Sequence, residues 1–200
     1  MPETAPAPLH VEAATAPAMI DLRTRIPEGE AGEACLSALE AACGVSLPLR
    51  PRKSCHNDDR QCLWMSPDQW LLLCPPEDAA GILEALQQAR QAAGVNLMAT
   101  DMSSARALIR LQGDGAREVL MKAIAVDFLP PAFMPGDVRR CAFAGIAALV
   151  HCRAAAPDAF DLYVFASYAA FALDWLQRAA MPAARVTLFR DPGRPSPRLL

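Results

Sequence analysis

Residues 105–125 constrain the fold more than any other segment, because they join a strand pattern to a helix pattern. Apolar and polar residues alternate up to Gln112, which is the period of a half-buried strand. Gly113 is expected to end that strand, and Asp114 to cap a helix over residues 114–125. The apolar residues at helical spacing are Ala116, Val119, Leu120, Ala123 and Ile124. The segment therefore predicts a strand followed directly by a helix.

The same patterns along the chain predict an α+β fold with two ferredoxin-like lobes, over residues 18–97 and 98–182. The first lobe has the order strand, helix, two strands, helix, strand, which fits a ferredoxin-like unit. Because strands come in hairpin pairs, we expect mixed or antiparallel sheets with helices packed on one face. Predicted strands span 19–26, 62–65, 69–74, 95–101, 105–112, 139–144, 146–153 and 160–165, and predicted helices span 30–43, 77–93, 114–125 and 167–180.

The two ends differ in composition from the rest. Residues 1–17 and the Pro/Arg-rich residues 183–200 are expected to be disordered or surface-hugging tails. The net charge of −3 without a lysine-rich run disfavours nucleic-acid binding. No stretch approaches the roughly 20 apolar residues of a membrane span, and the N-terminus lacks the features of a signal peptide. We therefore expect a cytoplasmic protein that contacts no membrane.

Cysteine, histidine and aspartate residues provide the candidates for a metal site or a catalytic nucleophile. The seven cysteines are an odd number, which argues against a disulfide framework. The metal candidates in one polar segment are Cys55, His56, Asp58, Asp59 and Cys62. The two cysteines are seven residues apart and no second pair completes a zinc tetrahedron, so an ordinary solvated loop is favoured. No cysteine or serine has a general base at a recognisable offset. We predict no catalytic, cofactor-binding or metal-binding residue.

Three motifs in order resemble one family. Asp101-x-Ser103 precedes the strand–helix unit, LWMSPDQWLLL spans 63–73, and FDLYVFASYAAFALDWL spans 160–176. Together they resemble the gamma subunit of heterotetrameric sarcosine oxidase, whose fold is related to the folate-binding domain of glycine-cleavage T-protein. The resemblance covers roughly residues 18–180 and thus nearly all of the predicted folded part.

The resemblance implies a non-catalytic subunit of a complex that oxidises sarcosine to glycine. It implies FAD, FMN, NAD and tetrahydrofolate in the larger subunits and none in this chain. The implied partners are mainly the alpha subunit, with the beta and delta subunits. Alternatives are the small subunit of a multisubunit N-methyl amino acid dehydrogenase, a stand-alone folate-dependent enzyme of the T-protein type, and a folate-binding module without chemistry.

Asp101 is the candidate folate contact, since an acidic residue contacts the pterin in catalytic T-proteins. The Lys-Gly-Cys-Tyr-x-Gly-Gln-Glu signature of the tRNA-modification branch is absent, and residues 131–138 read PAFMPGDV instead. A strand-end cap that accepts hydrogen bonds from the backbone groups of Ser103 and Ser104 is therefore the favoured role of Asp101.

The loop over residues 126–137 provides the interface candidates Leu129, Phe133 and Met134. Its three prolines stiffen it and prevent a central strand. Large apolar residues in such a loop require a cover. We expect Phe133 to insert into the large subunit, with packing on its own core as the alternative. Trp64 and Trp70 are expected on the same side of a hairpin, with core packing as the favoured role.

Overall fold

Antiparallel strand pairs build most of the chain. The computed structural model describes residues 8–94 and 96–184. The strands are β1 (His10–Ala14), β2 (Ala18–Thr24), β3 (Ser54–His56), β4 (Gln61–Ser66), β5 (Gln69–Cys74), β6 (Leu97–Asp101), β7 (Arg106–Gln112), β8 (Val138–Phe143), β9 (Ile146–Ala155) and β10 (Asp158–Phe165). The helices are α1 (Glu30–Cys43), α2 (Ala79–Ala93), α3 (Ala116–Ala123) and α4 (Ala169–Ala180), with 3-10 turns at Pro76–Asp78, Ala166–Tyr168 and Pro182–Ala184.

The strands form two five-stranded sheets with the same arrangement. The first has the order β3-β4-β5-β2-β6 and the second β8-β9-β10-β7-β1. Every strand pair within the sheets is antiparallel. Each sheet is a four-stranded ferredoxin-like sheet with one added edge strand. The predicted α+β class with two ferredoxin-like lobes is confirmed.

Strand β1 changes the predicted role of the N-terminal segment. It pairs antiparallel with β7 from His10 opposite Gln112 to Ala14 opposite Leu108. It thus occupies in the second sheet the place that β6 has in the first. The expectation of a disordered tail over 1–17 is wrong for residues 10–14, because the edge of β7 offers free backbone partners. Residues 1–7 and 185–200 lie outside the described part.

The two sheets pack face to face, and the helices cover their outer faces. α1 and α2 pack on the first sheet, around a core that includes Leu22 and Leu39. α3 and α4 pack on the second, around Leu120 and Leu176. The inter-sheet core consists of Met19, Leu63, Met65, Leu71, Leu73, Leu108, Val138, Leu149 and Tyr163. Each sheet therefore has helices on one face only, as predicted, since the other face is covered by the partner sheet.

Several boundaries differ from the predicted ones. β6 belongs to the first sheet and extends to Asp101, so the lobe boundary lies beyond the predicted 97/98. The segment with Cys55 and His56, expected to be a solvated loop, contains the short edge strand β3. Helix α3 is capped by Gly115 in the left-handed region (φ 88°) with no side-chain cap, so Asp114 is not the N-cap. Trp64 and Trp70 are direct cross-strand partners, and Trp70 is buried.

The loop over 126–137 folds onto the second core. Phe133 is fully buried and contacts Phe128 edge-on at 4.8 Å between ring centroids. Arg117 on α3 holds the loop, because its guanidinium donates to the carbonyls of Phe128 and Phe133, the latter at 2.8 Å. Its Nε also donates to Asp158 Oδ1 at 2.8 Å. The prediction that Phe133 inserts into a partner is therefore wrong. Its ring is already buried in the chain's own core, because Arg117 binds the loop carbonyls and holds the loop against that core.

Candidate functional site

A row of polar side chains crosses the inner face of the second sheet near one end. Arg110 on β7, Asp161 on β10 and His151 on β9 are successive cross-strand partners. They lie two residues along from Leu108, Tyr163 and Leu149, which belong to the inter-sheet core, and therefore point to the same face. The inter-sheet layer thus changes from apolar to polar along the strands.

A cavity of about 630 Å³ lies where the polar row meets the first lobe. It is lined by residues of both lobes, which include the turn after β3, β4, and the strands β7, β9 and β10. We call it the inter-sheet cavity. Its charged and polar lining residues are Ser54, His56, Asn57, Asp58, Asp59, Arg60, Gln61, Arg110, His151, Arg153, Asp161 and Tyr163.

His151 connects the two lobes at this cavity. Its Nε2 lies 3.2 Å from Ser54 Oγ and 3.4 Å from Gln61 Nε2. Ser54 Oγ also donates to the carbonyl of Gly136 at 3.0 Å. Burial, with the nearby charges of Arg153 and His56, lowers the pKa of His151 to about 4. The imidazole is therefore neutral at pH 7, and its Nδ1 is buried without a hydrogen-bond partner among the described residues.

Asp161 is a buried carboxylate between two arginines. Arg110 Nε lies 3.4 Å from its Oδ1 and Arg153 Nε 3.7 Å from its Oδ2. The hydroxyl of Tyr163 donates to Oδ2 at 3.4 Å. Burial raises the pKa of Asp161, and the two guanidinium groups oppose that rise. Sequence patterns gave no signal for this group, because its members come from three separate strands.

The predicted metal candidates are spread over a β-hairpin. Cys55 and Cys62 are cross-strand partners on β3 and β4, and Cys62 is fully buried. His56, Asp58 and Asp59 are exposed. Within residues 8–94 and 96–184, no group of three or more histidine, cysteine, aspartate or glutamate side chains is arranged to hold a metal ion.

The cysteine thiols show no activation. Burial raises the pKa of Cys43 to about 12, and burial raises those of Cys141 and Cys152 to about 11. Burial also raises the pKa of Cys55. A nucleophilic cysteine needs a lowered pKa to populate the thiolate at neutral pH. These four thiols are thus protonated, like apolar core residues.

Asp101 has the structural role that the sequence favoured. Its Oδ1 accepts the backbone N–H of Ser103 at 2.8 Å and the Ser103 hydroxyl at 2.5 Å. The Ser103 oxygen in turn accepts the N–H of Met19 at 2.9 Å. These hydrogen bonds lower the pKa of Asp101. The Asp-x-Ser motif therefore fixes the end of β6 and the start of β2.

An exposed aromatic surface lies where β10 passes into α4. Phe165, Tyr168 and Phe171 are 37%, 44% and 46% exposed, at spacings of three residues. We call these three residues the aromatic patch. The sequence analysis did not predict this patch, although α4 offers a signal for it. The face of α4 with Ala172 and Leu176 packs on the sheet, and further apolar residues lie outside that face.

The remaining interface candidates are Leu129 and Met134. Leu129 is half-buried and Met134 is 38% exposed. They stay predicted contacts.

No helix in the described ranges is both long enough and apolar enough to cross a bilayer.

Comparison with known proteins defines the family. The model of the sarcosine oxidase gamma subunit family matches residues 28–182, and the chain belongs to that family. A chain of heterotetrameric sarcosine oxidase from Corynebacterium sp. U-96, in complex with pyrrole 2-carboxylate, has the same fold. It superposes with a TM-score of 0.72 and 22% identity over 90% of this chain and 88% of that chain.

A second solved structure is more distant. The regulatory subunit of aspartate kinase from Thermus thermophilus gives a TM-score of 0.46 and 16% identity over 88% of this chain and 99% of that one. A search of curated proteins found no match.

Proposed function

We propose that this chain is the non-catalytic, structural gamma subunit of a heterotetrameric flavoprotein sarcosine oxidase, an enzyme that oxidatively demethylates sarcosine to glycine. Family membership supports the gamma-subunit assignment. The alpha subunit is the main partner, with the beta and delta subunits in the same cytoplasmic complex. FAD, FMN, NAD and tetrahydrofolate bind in the other subunits.

The aromatic patch is the observation on which the structural role depends. Phe165, Tyr168 and Phe171 expose large apolar rings within seven residues of the chain, although three extensive cores bury most other large apolar side chains of the described residues. Aromatic residues are enriched where protein interfaces gain most of their binding energy. Because the patch lies on regular secondary structure, its backbone needs little ordering on docking. We therefore assign the patch to the contact with the large subunit.

Co-expression of all four subunits with a tagged gamma subunit tests this assignment. Replacing Tyr168 and Phe171 by serine should reduce the amount of large subunit that co-purifies. Each hot-spot residue that is removed should weaken binding by about 1–3 kcal/mol. The thermal melt of the isolated chain should stay nearly unchanged, because both rings are exposed. The control is Met98→Ala, which removes an apolar side chain of the first lobe that is even more exposed, at 61%.

Two results would contradict the proposal. Unchanged recovery of the large subunit with the double variant would remove the patch from the interface. Bound flavin or sarcosine oxidation by the gamma chain alone would contradict the non-catalytic role.

A further inference from the structure

The inter-sheet cavity has the size of a small-molecule site and is separate from the aromatic patch. Its volume of about 630 Å³ falls within the roughly 300–1,000 Å³ of typical ligand pockets. Apolar side chains, Leu73 and Leu108, line it together with charged ones. Such a mixed lining binds the apolar body of a ligand and orients its polar group.

The charges of the polar row favour an anion. Arg110 and Arg153 both contact Asp161, Arg110 through Nε at 3.4 Å and Arg153 through Nε at 3.7 Å. One carboxylate balances only one of the two guanidinium groups, so the row has a surplus positive charge at neutral pH, when His151 is uncharged. Both arginine side chains are 41% exposed and therefore accessible. Among the described residues, their terminal nitrogens have no hydrogen-bond acceptor in the structure.

The other charged lining residues do not cancel this surplus. Arg60 is paired with Asp78 at 2.7 Å. Asp58 and Asp59 are exposed on the turn after β3, where solvent and salt screen their charge. A neutral donor completes the lining, since the Gln61 amide stands beside His151.

We propose that the inter-sheet cavity binds a small organic carboxylate. The terminal nitrogens of Arg110 and Arg153 donate to the carboxylate, which is the planar acceptor that guanidinium groups match best. The apolar body of the ligand lies against Leu73 and Leu108. Because both lobes line the cavity, the bound carboxylate also connects them.

Three aromatic probes of similar size and different charge test the proposal on the full chain, purified alone or within the complex. Benzoate, benzamide and benzylammonium are titrated up to about 10 mM and followed by ligand-observed NMR and by calorimetry. Benzoate should bind saturably. The neutral amide should bind at least about tenfold more weakly, because charge-assisted hydrogen bonds are lost. Benzylammonium should not bind.

Variants assign the binding to the cavity. Arg153→Gln and Arg110→Gln should each weaken benzoate binding by at least about tenfold. The matched control is Arg178→Gln, which removes an exposed arginine paired with Asp174 on α4. Circular dichroism and the melting temperature show whether each variant remains folded. Absence of saturable benzoate binding, equal binding of benzamide, or unchanged binding by both cavity variants would overturn the proposal.

Discussion

Phe133→Ala should destabilise the isolated chain strongly, because Phe133 is a central residue of the second core. The ring is fully buried and contacts Phe128 at 4.8 Å and Phe160 at 6.2 Å between centroids. Arg139 lies over it at 5.3 Å. Truncation of a buried phenylalanine costs about 3–5 kcal/mol through lost apolar transfer and the cavity that remains. For a chain of this length that corresponds to a fall of roughly 6–20 °C in melting temperature.

The assay is urea unfolding followed by tryptophan fluorescence, with a thermal melt of the same samples. Met134→Ala is the matched control, since it changes the next residue of the same loop at a site that is 38% exposed. It should shift stability by less than about 1 kcal/mol. A Phe133→Ala chain with unchanged unfolding but impaired co-purification of the large subunit would refute the core assignment and restore the interface interpretation.

Two further predictions concern the N-terminal strand and the buried histidine. Removal of residues 1–15 should lower the free energy of unfolding by about 2–3 kcal/mol, because the packing of Leu9 and Val11 on the second core is lost. The control is removal of residues 1–7. Equal melting temperatures of the two truncated chains would contradict the pairing of β1 with β7. The free energy of unfolding should also fall as the pH drops from 6.5 towards 4. In this range His151 is protonated in the unfolded chain but stays neutral in the folded chain, where its pKa is about 4. The loss should reach about 3 kcal/mol in urea titrations, and a His151→Gln chain with the same pH dependence in that window would count against it.

Local periodicity predicted most elements of the fold because its signals lie within single segments. The alternation before Gln112 and the helical spacing after it correspond to β7 and α3. Helices α1 and α2 end at Gly44 and Gly94, both in the left-handed region that favours glycine. The cap of α3 was mispredicted because Asp114 and Gly115 compete for one position, and only the backbone conformation decides between them.

Strand β1 could not be predicted from its own residues. The segment HVEAA has two polar residues and two alanines, and it is only partly buried. Its strand conformation depends on β7, which lies far away in the sequence. A signal does exist at Gly113, where φ is +110° and an added Cβ would lie 2.2 Å from the carbonyl oxygen of Pro8. A side chain there would collide with the N-terminal backbone, but only the fold reveals that neighbour.

The polar row could not be predicted either, because its members come from different strands. His151 lies in a largely apolar strand, so its own segment indicates only an ordinary core or edge histidine. The structure places Ser54 and Gln61 beside it from the other lobe, and Asp161 from the next strand. Interactions between lobes depend on the packing of two sheets, which sequence periodicity does not encode.

The placement of β1 also explains why the two lobes act as one body. The first strand of the described residues, β1, lies in the second sheet; the chain then builds the whole first sheet from β2 to β6 and returns to the second sheet at β7. Contacts at the opposite edge reinforce this link: Val138 N–H donates to the Arg52 carbonyl at 2.8 Å, and Lys53 pairs with Asp137 at 2.5 Å. Separation of the lobes would require β1 to leave the second sheet or the inter-sheet core to open. A subunit built in this way holds its exposed surfaces at fixed positions, which is the property that a structural role in a larger complex requires.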